Sequence, residues 1–129
     1  MTSAHGSVLV VEDDREINSL VGAYAQICGF EYRPALDGTT ALREARRETP
    51  SAVILDLMLP DVDGFEVCRR LRYDLHLTDV PIIILSALSS EKDKARGREC
   101  GADEYLTKPF NPDELIKTLM DHAKQQQPN

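Results

Sequence analysis

Val8-Leu9-Val10-Val11-Glu12-Asp13-Asp14 sets four consecutive aliphatic residues directly against three acids. Such a run, with no polar alternation, fits a strand covered on both faces, as in a parallel sheet flanked by helices. Val53-Ile54-Leu55 and Ile82-Ile83-Ile84-Leu85 repeat the pattern, and each is followed by a polar residue, Asp56 and Ser86. Between these runs apolar residues recur at helical spacing: Ile17, Leu20, Val21, Tyr24 and Cys28, then Val67, Leu71 and Leu75, and later Leu115, Leu119 and Ala123. Weaker strands fit residues 30–35 and 104–107, and weaker helices fit 39–48 and 91–100. Strand and helix then alternate five times, which predicts an α/β fold with helices covering a parallel sheet.

Local punctuation agrees. Asp37-Gly38 and Asp63-Gly64 are turn signals ahead of helices, and Asn111-Pro112 with Glu114 supplies a cap, a first-turn proline and a capping-box acid. Asp14 reads as an N-cap or first-turn acid of the first helix. The helix at 91–100 is dominated by Lys92, Asp93, Lys94, Arg96, Arg98 and Glu99 with Gly97 inside it, so it is expected to be marginal. A length of 129 residues with 42% hydrophobic content supports one core; residues 1–124 are expected to form it, with 125–129 a tail or the start of a linker.

Composition removes several classes of function. A net charge of −7 argues against direct binding to a nucleic-acid backbone, which needs clustered cations. The apolar runs fall far short of the roughly 18 residues of a membrane span, so a soluble, cytoplasmic protein is expected. Cys28, Cys68 and Cys100 are odd in number and widely separated, unlike a disulfide framework or a zinc cluster, and read as small core residues. His5, His76 and His122 read as surface residues.

Glu12-Asp13-Asp14, Asp56, Ser86 and Lys108 each fall at the C-terminal end of a different predicted strand, hence on one edge of the sheet. In doubly wound sheets ligands bind in the crevice outside those ends, where strand order reverses. Carboxylates gathered there repel one another unless protons or a cation share the site. Oxygen-only ligands suit Mg²⁺, which takes one or two carboxylates plus phosphate oxygens. A carboxylate can itself attack phosphorus, with Lys108 as a point charge and the Ser86 hydroxyl as a donor to the phosphoryl oxygens.

VLVVEDD at 8–14, LDLMLPDVDG at 55–64, IIILSA at 82–87 and DEYLTKPF at 103–110 together resemble the CheY-like response regulator receiver domains of two-component signalling, over nearly the whole chain. The resemblance implies a five-stranded doubly wound parallel sheet of strand order 2-1-3-4-5. It implies that Asp56 accepts the phosphoryl group, and that Glu12, Asp13, Asp56 and the Met58 carbonyl serve Mg²⁺, or Mn²⁺ in its place. Ser86 and Tyr105 resemble the hydroxyl and aromatic switch residues. Lys108 matches the site lysine, aimed inward by a cis peptide to Pro109. The implied partner is a sensor histidine kinase or a histidine phosphotransfer protein. The helix at 91–100, the strand through Tyr105 and the last helix would form the output face, and Lys94 and Arg96 facing Asp103 and Glu104 would support a homodimer there. The domain would undergo self-catalysed phosphorylation and dephosphorylation, with Met58 and Leu88 influencing the lifetime, rather than act as a turnover enzyme.

Two rival readings each lack a feature they need. A haloacid-dehalogenase-type phosphatase needs a second acid two positions after its nucleophile, where this chain has Met58. A flavodoxin-like cofactor binder needs a hydroxyl-rich phosphate loop after the first strand, where Glu12-Asp13-Asp14 would repel phosphate. A binding module working without phosphorylation is the strongest alternative, disfavoured by the intact set of acids, hydroxyl and lysine.

Overall fold

The apolar runs form the middle of one sheet. The structure, a computed structural model, describes residues 5–126. Its elements alternate as β1 (Ser7–Val11), α1 (Arg15–Ile27), β2 (Glu31–Ala35), α2 (Gly38–Arg47), β3 (Ala52–Leu55), α3 (Gly64–Arg69), β4 (Ile82–Ser86), α4 (Glu91–Glu99), β5 (Glu104–Thr107) and α5 (Pro112–Gln126). All strand pairs are parallel and the order is β2-β1-β3-β4-β5, as the resemblance implies. α5 continues through Gln126, past the domain limit expected at 124, and the remainder of the expected tail, 127–129, lies outside the described residues.

Unbroken apolar strands are explained by burial on both faces. Val8, Val10, Ile54, Ile83 and Leu85 face α1 and α5 through Val21, Ala25, Leu115 and Leu119. Leu9, Val11, Val53, Leu55 and Ile82 face α2, α3 and the turn that follows α3 through Ala41, Leu42, Val67 and Leu71. A smaller cluster of Leu57, Phe65 and Ile84 lies beneath Leu88 and Tyr105. Cys28 and Cys68 are buried, and burial pushes the Cys68 thiol up to about 12, so it behaves as a core residue and not as a reactive thiol. No helix among the described residues is long and apolar enough to cross a membrane.

Caps follow the sequence closely. Asp14 accepts from the N–H groups of Glu16 and Ile17, Asp37 from Thr40, Asp63 from Phe65, and Asn111 from Asp113. Two features differ from the sequence reading. The helix through Val67 and Leu71 does not stay α-helical to Leu75: after Arg69 it widens into a π-helical turn, Arg70–Asp74. Arg72 in that turn donates to the carbonyls of Leu77, Val80 and Gly101 and pairs with Asp103 at 2.7 Å, partners that no helical periodicity reveals. Asp61, in the loop after β3, caps α2 from outside, accepting from the Gly38 and Thr39 amides at 2.9 and 3.0 Å and from the Thr39 hydroxyl at 2.7 Å. Those hydrogen bonds, the Thr39 hydroxyl first, hold its carboxyl well below the usual carboxylate range.

Gly64 is more than a turn residue. A Cβ there would stand 2.3 Å from the Leu57 Cα and 2.8 Å from the Asp56 carbonyl oxygen, so α3 begins in direct contact with the backbone that carries Asp56. Gly64→Ala should therefore lower stability by about 2–3 kcal/mol, the range of an overpacked site. Urea unfolding checks this, and an unchanged midpoint would show that the loop yields freely.

Candidate functional site

Three residues sit one step beyond their strands and are still held by the hydrogen-bond ladder. The Glu12 amide donates to the Ala35 carbonyl at 3.1 Å, the Asp56 amide to Val11 at 2.9 Å, and the Lys108 amide to Ser86 at 2.9 Å. Side chains at such positions point across the carboxyl edge of the sheet, where β1 and β3 diverge toward different helices. Asn18 reinforces the edge from α1. Its buried side chain donates to the carbonyls of Val10, Glu12 and Ala35, and its oxygen accepts from the Tyr32 hydroxyl at 2.5 Å. Sequence reasoning missed Asn18, although an amide beside Val21 on the apolar side of α1 was a visible signal.

Carboxylate oxygens of Glu12, Asp13 and Asp56 lie within 4.8 Å of one another. Glu12 and Asp56 are 4% and 6% exposed, and Asp13 is open to solvent. The Lys108 ammonium reaches between the two buried acids, bonding to Glu12 Oε1 and lying 3.2 Å from Asp56 Oδ2. The Asp14 and Met58 amides complete the set, donating to Glu12 at 3.1 Å and to Asp56 at 3.2 Å. Burial pushes the Glu12 carboxyl above the ordinary range, against the opposing pull of Lys108 and the Asp14 amide. Burial acts to lower Lys108, but the hydrogen bond to Glu12 and the charge of Asp56 outweigh it and hold the ammonium above its ordinary value.

Ser86 is fully buried and its Oγ accepts from the Leu88 amide at 3.3 Å. The same Leu88 receives the Tyr105 hydroxyl on its carbonyl at 2.5 Å, so one peptide segment touches both residues. The Lys108–Pro109 peptide is cis. Met58 is exposed beside the acids. The hard oxygen donors of Glu12, Asp13 and Asp56, with no thiol or imidazole in the group, fit a hard divalent cation such as Mg²⁺.

Comparison with known proteins agrees with this geometry. Residues 8–120 match the response regulator receiver domain family. The chain belongs to that family. The receiver domain is 42% identical over 109 residues to the DNA-binding dual master transcriptional regulator RpaA of a Synechocystis strain, covering 84% of this chain and 45% of the relative. It is 45% identical over 126 residues to the transcriptional regulatory protein GltR of Pseudomonas aeruginosa, covering 95% and 52%. The receiver domain thus spans about half the length of these curated relatives. Among solved structures, a Francisella response regulator receiver domain superposes with a TM-score of 0.86 at 35% identity, over 94% of this chain and 98% of that one. Phosphoryl acceptance is the general function of the family, whose domains bind Mg²⁺ at an acidic pocket and work with histidine kinases, as signalling modules and not as turnover enzymes.

The charges read as facing one another across the output surface of the receiver domain are engaged elsewhere. Arg96 lies 4.1 Å over the Phe65 ring and 3.5 Å from Asp63, and Asp103 is held by Arg72. Lys94 pairs with Glu91 on its own helix at 3.8 Å, and Glu104 lies 3.5 Å from His122.

Removing the lysine ammonium gives a pH signature. Lys108, raised by its partners, contributes stability at any pH below its ordinary value and loses it only in the alkaline range. Glu12, raised by burial, costs stability once the pH passes the ordinary carboxyl range. Without the ammonium that cost grows, so the deficit of Lys108→Ala against the parent should widen from pH 5 to pH 8. At neutral pH it should reach about 2–3 kcal/mol, below the figure for a wholly buried pair because Lys108 is partly solvated. Urea unfolding in a metal chelator measures it. A deficit independent of pH would show that the carboxylates do not depend on Lys108.

Proposed function

We propose that Asp56 takes a phosphoryl group from a phosphohistidine of a sensor histidine kinase or a histidine phosphotransfer protein, and that Ser86 and Tyr105 relay its presence to the surface formed by α4, β5 and α5. The convergence of Asp56 with Glu12, Asp13 and Lys108 at one edge of the sheet carries this reading. An Asp56 carboxylate oxygen attacks phosphorus, the O–P bond forms as the P–N bond to the donor imidazole breaks, and the imidazole leaves with the bonding pair. The Met58 amide and the Lys108 ammonium each hold one oxygen of the Asp56 carboxylate, which fixes its plane before reaction. Lys108 then pairs with a phosphoryl oxygen, and Ser86 turns its hydroxyl from the Leu88 amide to another.

Glu12, Asp13, Asp56 and the Met58 carbonyl would hold Mg²⁺, with Mn²⁺ able to take its place. The ion supplies charge neutralisation for the transferring group when bound. Hydrolysis of the acyl phosphate at the same residues resets the domain, and Met58 and Leu88, flanking the pocket, bear on its lifetime. The added charge of nearly two units biases the output surface when its two states hold the phosphoryl group differently.

In this reading the signalling unit runs through the end of α5 at Gln126 and acts in the cytoplasm. The output surface formed by α4, β5 and α5 is the face on which two copies pair, while any contact with DNA belongs to an output domain or partner.

Intact-protein mass after incubation with acetyl phosphate should show one added phosphoryl group that requires Mg²⁺, is labile to base, and is absent in Asp56→Asn. No adduct with any small donor would favour a module that acts through protein contacts alone.

A further inference from the structure

α4 has almost no apolar surface, and among its residues only Gly97 is buried. A helix that polar on all sides is held by a few specific contacts instead of a hydrophobic stripe. The tightest of them is at Gly97. A Cβ built there would stand 2.9 Å from Ile84 Cδ1 and 3.1 and 3.2 Å from Cδ2 and Cε2 of the Tyr105 ring. The aromatic ring therefore rests against the backbone of α4 in space that any side chain would fill.

The two neighbours are not equally able to yield. Ile84 is fully buried on β4, paired with β3 and β5 on either side. Tyr105 is half-buried on the edge strand, with its hydroxyl on the Leu88 carbonyl at 2.5 Å. Leu88 in turn donates its amide to Ser86. Ser86, Leu88, Tyr105 and Gly97 thus form a continuous line of contacts from the pocket to α4.

We propose that Gly97 is the positioning residue for the Tyr105 ring: the missing Cβ keeps open the seat the ring occupies, and a side chain at 97 drives the ring toward solvent and detaches its hydroxyl from Leu88. The inference rests on the reading of Ser86 and Tyr105 as the relay. It also gives the glycine a different meaning from helix weakening. If conformational entropy were its only effect, Gly97→Ala would simply strengthen α4 and leave Tyr105 in place. If the glycine is a seat, residue 97 disconnects α4 from Ser86 while leaving the chemistry at Asp56 untouched.

The test uses the full chain labelled with fluorotyrosine, whose four tyrosines include the exposed Tyr73 as an internal reference. The Tyr105 resonance is assigned by its loss in Tyr105→Phe, and its exposure is read from line broadening by a soluble paramagnetic agent. In Gly97→Ala, and more fully in Gly97→Val, Tyr105 should move from a protected position to broadening like that of Tyr73. Its response to beryllofluoride should be lost, with phosphoryl uptake from acetyl phosphate unchanged. A Tyr105 resonance unmoved in the mild Ala variant and still responsive to beryllofluoride would overturn the proposal. Absence of phosphoryl uptake in the parent would overturn the phosphoacceptor reading instead, and the position of the ring in the variants is read without any phosphoryl group.

Discussion

Two buried carboxylates gathered around one ammonium are the constraint around which the rest of the structure is arranged. Glu12 and Asp56 stand one residue beyond adjacent central strands, and Lys108, from beyond the edge strand, closes over both. Each element contributes to keeping that pair together. The parallel ladder fixes the backbone of all three residues, Asn18 pins the carbonyl end of β1, and Gly64 lets α3 begin against Asp56 without displacing it. The single lysine charge faces three carboxylates, Glu12, Asp13 and Asp56, and burial holds Glu12 above its ordinary range. A site left with surplus negative charge is receptive to a divalent cation, and through it to the phosphoryl group that such a cation accompanies.

A short chain of contacts leads away from this site. Ser86 and Tyr105 do not touch through their side chains in the contacts described; each instead bonds to opposite sides of Leu88, one to its amide and the other to its carbonyl. In the relay proposed above, turning the serine hydroxyl toward a phosphoryl oxygen would free that amide and loosen the segment to which the tyrosine is tied. α4, among whose residues only Gly97 is buried, has little packing to hold it in place. Its C-terminal end is anchored differently, through Arg72 on the Gly101 carbonyl and the Cys68 thiol on the Cys100 carbonyl at 3.4 Å.

What could be read from sequence was local or repeated. Unbroken aliphatic runs identify buried parallel strands because burial on both faces leaves no place for alternation, and the acids, hydroxyl and lysine at their ends are one residue away from the signal. Asp14, Asp37 and Asp63 cap helices within three residues, so their roles were legible too. The residues that escaped reading satisfy backbone groups far away in the chain. Asp61 caps α2 across 23 positions at Gly38, and Arg72 reaches Asp103 across 31. Arg33, buried on β2, donates to the Glu44 and Glu48 carbonyls at the end of α2. The same limit applies to Arg96, read as facing Asp103 and Glu104: it stays exposed but stacks on Phe65 beside Asp63. Gly97 could be seen as a glycine in a helix, but not as a space reserved for a ring from the next strand.

The assignment of Asp56 as the nucleophile is tested most directly by locating the acyl phosphate in the chain. Borohydride reduction of the protein after brief exposure to acetyl phosphate and Mg²⁺ converts a phosphorylated aspartate to homoserine, and peptide sequencing by mass spectrometry identifies the position. The account predicts homoserine at residue 56 and nowhere else, with Asp13 unchanged. Homoserine at 13, or at any residue other than 56, would contradict it.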